Sequence, residues 1–238
     1  MTRLTQLDAS LPDRFPDPVH ALRDPNGLLA FGGDLSPERL LAAYAQGIFP
    51  WFGDGDPLLW WSPDPRCVFD TANVHMARRL KRRLRTSDWT ISIDRAFVDV
   101  MHACAAPRND DPGTWITREM IEAYARLHRL GHAHSLEVWN ADALVGGIYG
   151  VAIGRAFSAE SMFSRVTDAS KTALIALSRC LRRMGFPLLD AQVSNPHLLR
   201  MGATTLPRAE FLQHWRDLTA LTGPAEWRLD FTRARELA

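Results

Sequence analysis

The sequence predicts an α+β protein whose sheet is mostly antiparallel. Three strand-like runs, Ser135 to Trp139, Ala143 to Ile153 and Ala156 to Phe163, follow one another closely. Only Asn140-Ala141-Asp142 and Gly154-Arg155 separate them, which reads as a meander. A helix precedes the meander, and a helix, a strand and a helix follow it, an order that is α+β. The chain is long enough for a large core: 238 residues, 46% hydrophobic and 23% charged, is ordinary globular composition.

The first ~35 residues are rich in Pro, Gly and Asp and read as irregular wrapping. Ser36, Pro37 and Glu38 are an N-cap, a first-turn proline and a dipole-matched acid. Leu40, Leu41 and Tyr44 supply the apolar stripe, and Gly47 the stop. Ile48 to Pro65 is Pro-rich and loop-like, yet aromatic. Val74 to Leu84 reads as a helix with a basic outer face, and Trp89 to Ile93 as a strand. Asp94 is placed to cap a helix through Ala105. The polar break Asn109 to Gly113 sets a boundary near Pro107, dividing the chain into residues 1–106 and 107–238. Thr117 caps a helix ending at Gly131. After the meander, Asp168 or Ser170 opens a long amphipathic helix ending at Gly185. Pro187 to Val193 is a short strand and Phe211 to Leu221 a last helix. The order also matches the core of the acetyltransferase-like (GNAT) fold, an analogy that assigns no function.

Charge and cysteine content narrow the function classes. Lys plus Arg is 28 against 27 for Asp plus Glu, a net charge of +1. A globally basic nucleic-acid glue is disfavoured, although a local patch is not. Cys67, Cys104 and Cys180 lie far apart and form no C-x-x-C, against a disulfide scaffold or a Cys-rich zinc site. Met1 to Pro12 has no apolar signal region. The longest uncharged run, Ala143 to Gly154, is too short to span a bilayer. A reduced cytoplasmic protein is expected.

Four constellations could carry chemistry. Arg78, Arg79, Lys81, Arg82, Arg83 and Arg85 concentrate six cations in eight residues. A helix puts Arg78, Arg82 and Arg85 on one face, suited to a phosphate backbone, although such runs are commonly solvated. Phe49, Trp51, Phe52, Trp60, Trp61 and Trp115 could stack unpaired bases or be core. In a strand, Trp60 and Trp61 face opposite ways. Asp190 and Gln192 share a strand face at the start of an Asn195-Pro196 turn, so the carboxylate could orient the amide. Glu160 sits in an apolar strand context, where an unpaired carboxylate is costly and a partner is expected. His132 and His134 read as structural, since no Cys or carboxylate spacing completes a metal site. Gly146, Gly147, Gly150 and Gly154 form no dinucleotide fingerprint and allow close packing or close approach to a substrate.

Taken together, ordered segments carry a resemblance. They are Pro25–Pro37 (PNGLLAFGGDLSP), Gly47–Phe52 (GIFPWF), Trp60–Arg66 (WWSPDPR) and Gly113–Thr117 (GTWIT). Gly131–Trp139 (GHAHSLEVW), Leu144–Val151 (LVGGIYGV), Glu160–Arg165 (ESMFSR), Ala169–Leu174 (ASKTAL) and Asp190–Val193 (DAQV) follow. The sequence resembles the bacterial leucyl/phenylalanyl-tRNA–protein transferase family from about Pro25 to Pro207. The resemblance implies a small N-terminal α/β domain and a GNAT-like C-terminal catalytic domain. It implies transfer of leucine or phenylalanine, sometimes methionine, from charged tRNA to a protein's N-terminal Arg or Lys, marking it for the N-degron pathway. The ester is already activated, so no ATP, no metal and no other cofactor is implied. Asp190 would orient Gln192, whose amide oxygen would accept from the attacking amine, and Glu160 would contact the substrate. Trp51 would stack the terminal adenine. Trp115, Ile148, Phe157, Met162 and Leu177 would wall the side-chain pocket, with Ser164 and Asn195 beside it. The basic helix Arg78–Arg85 would grip the tRNA. No membrane contact is implied, and a monomer is expected. Ala159, Ile148 and Leu177 depart from common family residues and leave the Leu/Phe/Met preference open.

Two rivals remain at this level. An acyl-CoA transferase of the GNAT class needs a Gly-rich pyrophosphate loop after the meander. Phe163 runs instead into Ser164-Arg165-Val166-Thr167-Asp168. A non-catalytic tRNA-binding module would use the basic helix but has no need of Glu160, Asp190 and Gln192.

Overall fold

A computed structural model describes residues 4–107 and 115–238. The break Asn109 to Gly113 lies outside the described residues. Among the described residues the strands form two sheets. The smaller contains β1 (Thr5–Leu7), β2 (Leu28–Gly32), β3 (Phe49–Pro50) and β4 (Leu59–Trp61), in the order β1-β2-β4-β3. The larger contains β5 (Arg66–Asp70), β6 (Thr90–Ile93), β7 (Ala133–Asn140), β8 (Ala143–Ile153), β9 (Ala156–Ser164), β10 (Leu188–Gln192) and β11 (Thr204–Leu206). Its order is β11-β5-β10-β9-β8-β7-β6. Every pairing in it is antiparallel except β9 with β10. The predicted meander and the helix and strand after it are therefore present, and that strand, β10, joins β9 in parallel.

The helices are α1 (Pro37–Ala45), α2 (Arg78–Arg85), α3 (Phe97–Ala105), α4 (Arg118–Arg129), α5 (Ala169–Arg183), α6 (Pro196–Arg200) and α7 (Arg208–Thr219). Caps explain several starts. Ser36 Oγ accepts from Arg39 N, and Thr117 Oγ1 from Met120 N, each at 3.3 Å. Gly47 follows α1 with φ +70°, the left-handed residue that ends many helices. Strand β8 alternates between two cores. Tyr149 and Val151 pack with α1, α3 and α4, while Ile148 and Ala152 pack with α2 and α5. Gly146 lets α5 approach, since a Cβ there would lie 2.6 Å from the Ala169 Cβ.

Several expectations need correction. The first 35 residues are not all irregular, because they contain β1 and β2. Ile48 to Pro65 contains β3 and β4, two short strands that pair with each other, β4 pairing also with the distant β2. β5, β11 and α6 were not foreseen; β5 is a continuous buried run between β10 and β11, with no alternation to reveal it. The helix read from Val74 begins only at Arg78, because His75 N–H is committed to Met201 O at 2.8 Å. α7 starts three residues before Phe211. Asp94 does not cap α3, whose N-cap is Ala96. At φ +56°, Asp94 accepts instead from Ser135 N and bonds His134 Nδ1 at 2.7 Å. Trp60 is buried and Trp61 half-buried, and Trp61 packs against the core that holds Trp60. β5 and β6, both before residue 107, are strands of the larger sheet.

Candidate active site

The parallel ladder between β9 and β10 is short. It pairs Leu189 with Phe157 and Asp190 with Ser158. Beyond it, β10 stays with β5 through a bulge between Asp190 and Gln192. Gln192 takes φ +60°, an uncommon conformation for a residue with a side chain. A cavity of about 250 Å³ lies at this point. Glu160 of β9 and Gln192 of β10 line it, with Trp51, Trp115, Ile148, Met162 and Asn195. Seven of the residues expected at the site thus share one cavity.

Four others lie elsewhere. Phe157 and Leu177 are buried in the core behind the cavity wall. Ser164 works at the start of α5, where its Oγ accepts from Ser170 N at 3.2 Å and donates to Val166 O. Asp190 lies fully buried beneath Gln192. Phe49, named among the candidate stacking aromatics, lines the cavity too; sequence reasoning missed Phe69, Leu174, Leu189, Val193 and Leu198, which also line it. Apolar residues in apolar elements carry no signal that separates lining from core.

The bulge changes the relation between Asp190 and Gln192. Their side chains do not pair across a common strand face. Asp190 Oδ1 accepts from the Gln192 backbone N–H at 2.9 Å. The Gln192 amide is instead held by Glu160, with Nε2 donating to Oε1 at 2.8 Å. Asp190 is itself clamped by Arg66, whose Nε and Nη2 each lie 2.7 Å from a carboxylate oxygen. Ser158 Oγ donates to the same carboxylate at 3.0 Å. The Arg66 guanidinium sits between the Phe49 and Phe211 rings and donates to Gly47 O at 3.0 Å. Arg66 thereby ties the small sheet, α7 and β10 into one unit. It ends the segment WWSPDPR, but nothing local reveals a partner 124 residues away.

Glu160 is nearly inaccessible, and two phenols stand beneath it. Tyr124 donates to Glu160 Oε2 at 3.4 Å, and the Tyr44 and Tyr124 hydroxyls contact each other closely. Burial pushes the Glu160 carboxyl up to about 8; bonds from Tyr44 and Tyr124 oppose this and the Asp190 charge adds to it. The same burial, with Glu160 beside them, raises both tyrosines well above their ordinary range. At neutral pH Glu160 is therefore mostly a neutral acid. Trp51 is 42% exposed at the rim, backed by Trp61 at 5.6 Å between ring centres. Trp61 Nε1 donates to Trp51 O at 2.6 Å, which fixes the rim backbone.

The basic helix presents Arg78, Arg79, Lys81, Arg82 and Arg85 to solvent. Arg83 is half-committed, lying 3.5 Å from Asp168 and over the Trp89 ring. No helix among the described residues is long and apolar enough to cross a membrane.

Known proteins match this chain over most of its length. The family model for leucyl/phenylalanyl-tRNA protein transferase matches residues 68–216, and the model for that family's N-terminal domain matches residues 33–64. A leucyl/phenylalanyl-tRNA–protein transferase of Xanthomonas euvesicatoria pv. vesicatoria is 59% identical over 223 residues, 93% of this chain and 89% of its own. One from Shewanella baltica is 55% identical over 216 residues, 90% of this chain and 91% of its own. A solved Bacteroides thetaiotaomicron protein of unknown function aligns over 58% of this chain and 53% of its own at TM-score 0.43 and 11% identity. On the family models and the sequence relatives, the chain belongs to the leucyl/phenylalanyl-tRNA–protein transferase family of aminoacyltransferases.

Proposed function

We propose that this chain transfers leucine or phenylalanine, and sometimes methionine, from the 3′ end of charged tRNA to the N-terminal Arg or Lys of a protein. The new N-terminus marks the acceptor for the N-degron pathway, and charged tRNA as donor makes the reaction cytoplasmic. The observation that carries the reading is the Glu160–Gln192 hydrogen bond in the wall of a cavity otherwise lined mainly by apolar side chains. Ile148, Met162, Leu174 and Leu189 offer an apolar amino acid a place in that cavity. Such a pocket separates side chains by only ~1–3 kcal/mol per methylene, so it suits several apolar residues.

The chemistry asks little of the protein. The acceptor α-amine, with a pKa of about 7.7–8.0, is partly neutral at pH 7. Its nitrogen attacks the ester carbon, the C–N bond forms and the ester C–O bond breaks. The proton lost from nitrogen ends on the ribose oxygen. Gln192 gives its N–H to Glu160, which leaves the amide oxygen to accept from the amine and aim it. An amide holds no proton at this pH, so Gln192 orients and the ribose oxygen receives. Asp190 acts at one remove, fixing the Gln192 backbone. Glu160, mostly neutral, contacts the aminoacyl group without placing a full charge beside the ester. Trp51 stacks the terminal adenine, and the exposed cations of α2 grip the tRNA stem.

The test is transfer of labelled leucine from charged tRNA to a peptide beginning with Arg. Labelling of the α-amine that ribonuclease abolishes, and that an N-acetylated peptide does not show, is expected. Binding of tRNA without transfer would move the chain to the binding-module reading.

A further inference from the structure

Positive charge does not stop at α2. Asp168, which meets Arg83, also holds Lys171 Nζ at 2.6 Å in the first turn of α5. One turn further along α5, Leu174 lines the cavity. α6 carries His197 and Arg200, and Asn195 and Leu198 of the same segment line the cavity as well. The bond from His75 N–H to Met201 O fastens the end of α6 to the segment leading into α2. Burial, and then the fields of Lys171 and Arg200, hold the His197 imidazole below its ordinary value, so both cations act on one ring. Arg200 is exposed and, among the described residues, has no hydrogen bond or ion pair.

These groups flank the cavity mouth on a chain whose net charge is only +1. Arg200 contributes a free charge and Lys171 one shared with Asp168, while His197 offers a ring N–H, a set that suits phosphate oxygens. We infer that Lys171, His197 and Arg200 form a second RNA-binding site, distinct from α2, that takes the phosphates of the unpaired 3′ end and leads the aminoacyl-adenosine into the cavity. The inference rests on the transfer reading above. It divides the labour: α2 holds the stem, and α5 with α6 holds the tail.

Binding separates the two sites without requiring transfer. The probes are an unreactive C-C-A trinucleotide with phenylalanine amide-linked at its 3′ end, the same trinucleotide with neutral methylphosphonate links, and phenylalanine amide-linked to adenosine alone. The wild-type chain binds the phosphate trinucleotide ~10-fold more tightly than the aminoacyl nucleoside, as charge-assisted phosphate contacts would give. K171A/R200A removes that advantage and lowers the log–log salt slope by about 1.4, two contacts' worth on a single strand. R78E/R82E weakens full-length tRNA but leaves the trinucleotide unchanged. Equal wild-type binding of the phosphate and methylphosphonate probes overturns the site. So does a K171A/R200A loss that is as large for the nucleoside as for the trinucleotide. A wild-type chain that binds with this phosphate dependence but transfers nothing sinks the transfer reading and leaves the phosphate site standing.

Discussion

Arg66 and Asp190 are buried and bonded at two points, with the Arg66 guanidinium between two aromatic rings, so neither can be removed quietly. Arg66→Met strands a buried carboxylate and should cost ~3–5 kcal/mol in chemical denaturation. Arg66→Met combined with Asp190→Leu should recover much of that stability while leaving transfer low, because the Gln192 N–H still lacks its acceptor. Full recovery of transfer would show that Asp190 does nothing for Gln192. Glu160 permits a second test. Its folded-state pKa of about 8 lies above the ordinary carboxyl value of 4.5, so between those limits the folded chain holds the extra proton. That contribution to stability is full below about 4.5 and declines as pH rises toward 8. Glu160→Gln should flatten this decline, read as denaturation midpoint against pH. An unchanged profile would mean that Glu160 titrates normally. At this scale the sequence disclosed the members of the site but not their pairing. Strand alternation put Asp190 beside the Gln192 side chain; the bulge and φ +60° at Gln192 gave it to Glu160 instead. A bulge leaves no mark in a single sequence when the whole strand that holds it is only five residues long.

Among the elements, α2 divides by face. Leu80 and Leu84 are buried, while Arg78, Arg79, Lys81, Arg82 and Arg85 are free to meet RNA. Charge reversal at Arg78 and Arg82 should weaken tRNA binding and flatten its salt dependence without moving the thermal midpoint. Arg83→Ala should behave differently. It loses the Trp89 ring and the Asp168 contact, so a small drop in stability should accompany a weaker effect on binding. If the two variants match in both measurements, the faces are not distinct. The elements that were legible share a feature: their signals lie within themselves. Ser36 and Thr117 cap, and the β7–β8–β9 meander closes through tight turns. Most of the strands that were missed depend on distant partners. β2 pairs with β4, and β11 with β5, across roughly thirty residues or more of intervening chain. β5 lies inside the sheet between β11 and β10, where a buried run looks the same from either face.

Across the whole molecule, the site belongs to neither half alone. Phe49, Pro50 and Trp51 come from the smaller sheet and its rim, and Glu160 and Gln192 from the larger sheet. Several bonds cross between them, Arg208 to Ser62 O among them. Arg66 on β5 reaches Gly47 O, Tyr124 on α4 contacts the Tyr44 hydroxyl of α1, and Trp215 Nε1 on α7 donates to Tyr44 O at 2.7 Å. The Tyr44 side chain is itself buried against α4 and β8. A soft join would let Trp51 drift relative to Gln192, and an ångström of drift is costly to a reaction that works by positioning. The join should therefore be rigid, and unfolding should be a single event. Tryptophan fluorescence and far-ultraviolet circular dichroism should give coincident denaturation curves. Trp215→Phe removes one crossing bond and keeps most of the buried ring. It should shift both curves together by ~1 kcal/mol and lower kcat more than it raises KM. Two separated transitions in the wild-type chain would show that the halves fold independently, and the rigid alignment of Trp51 with Gln192 would then have to come from bound tRNA.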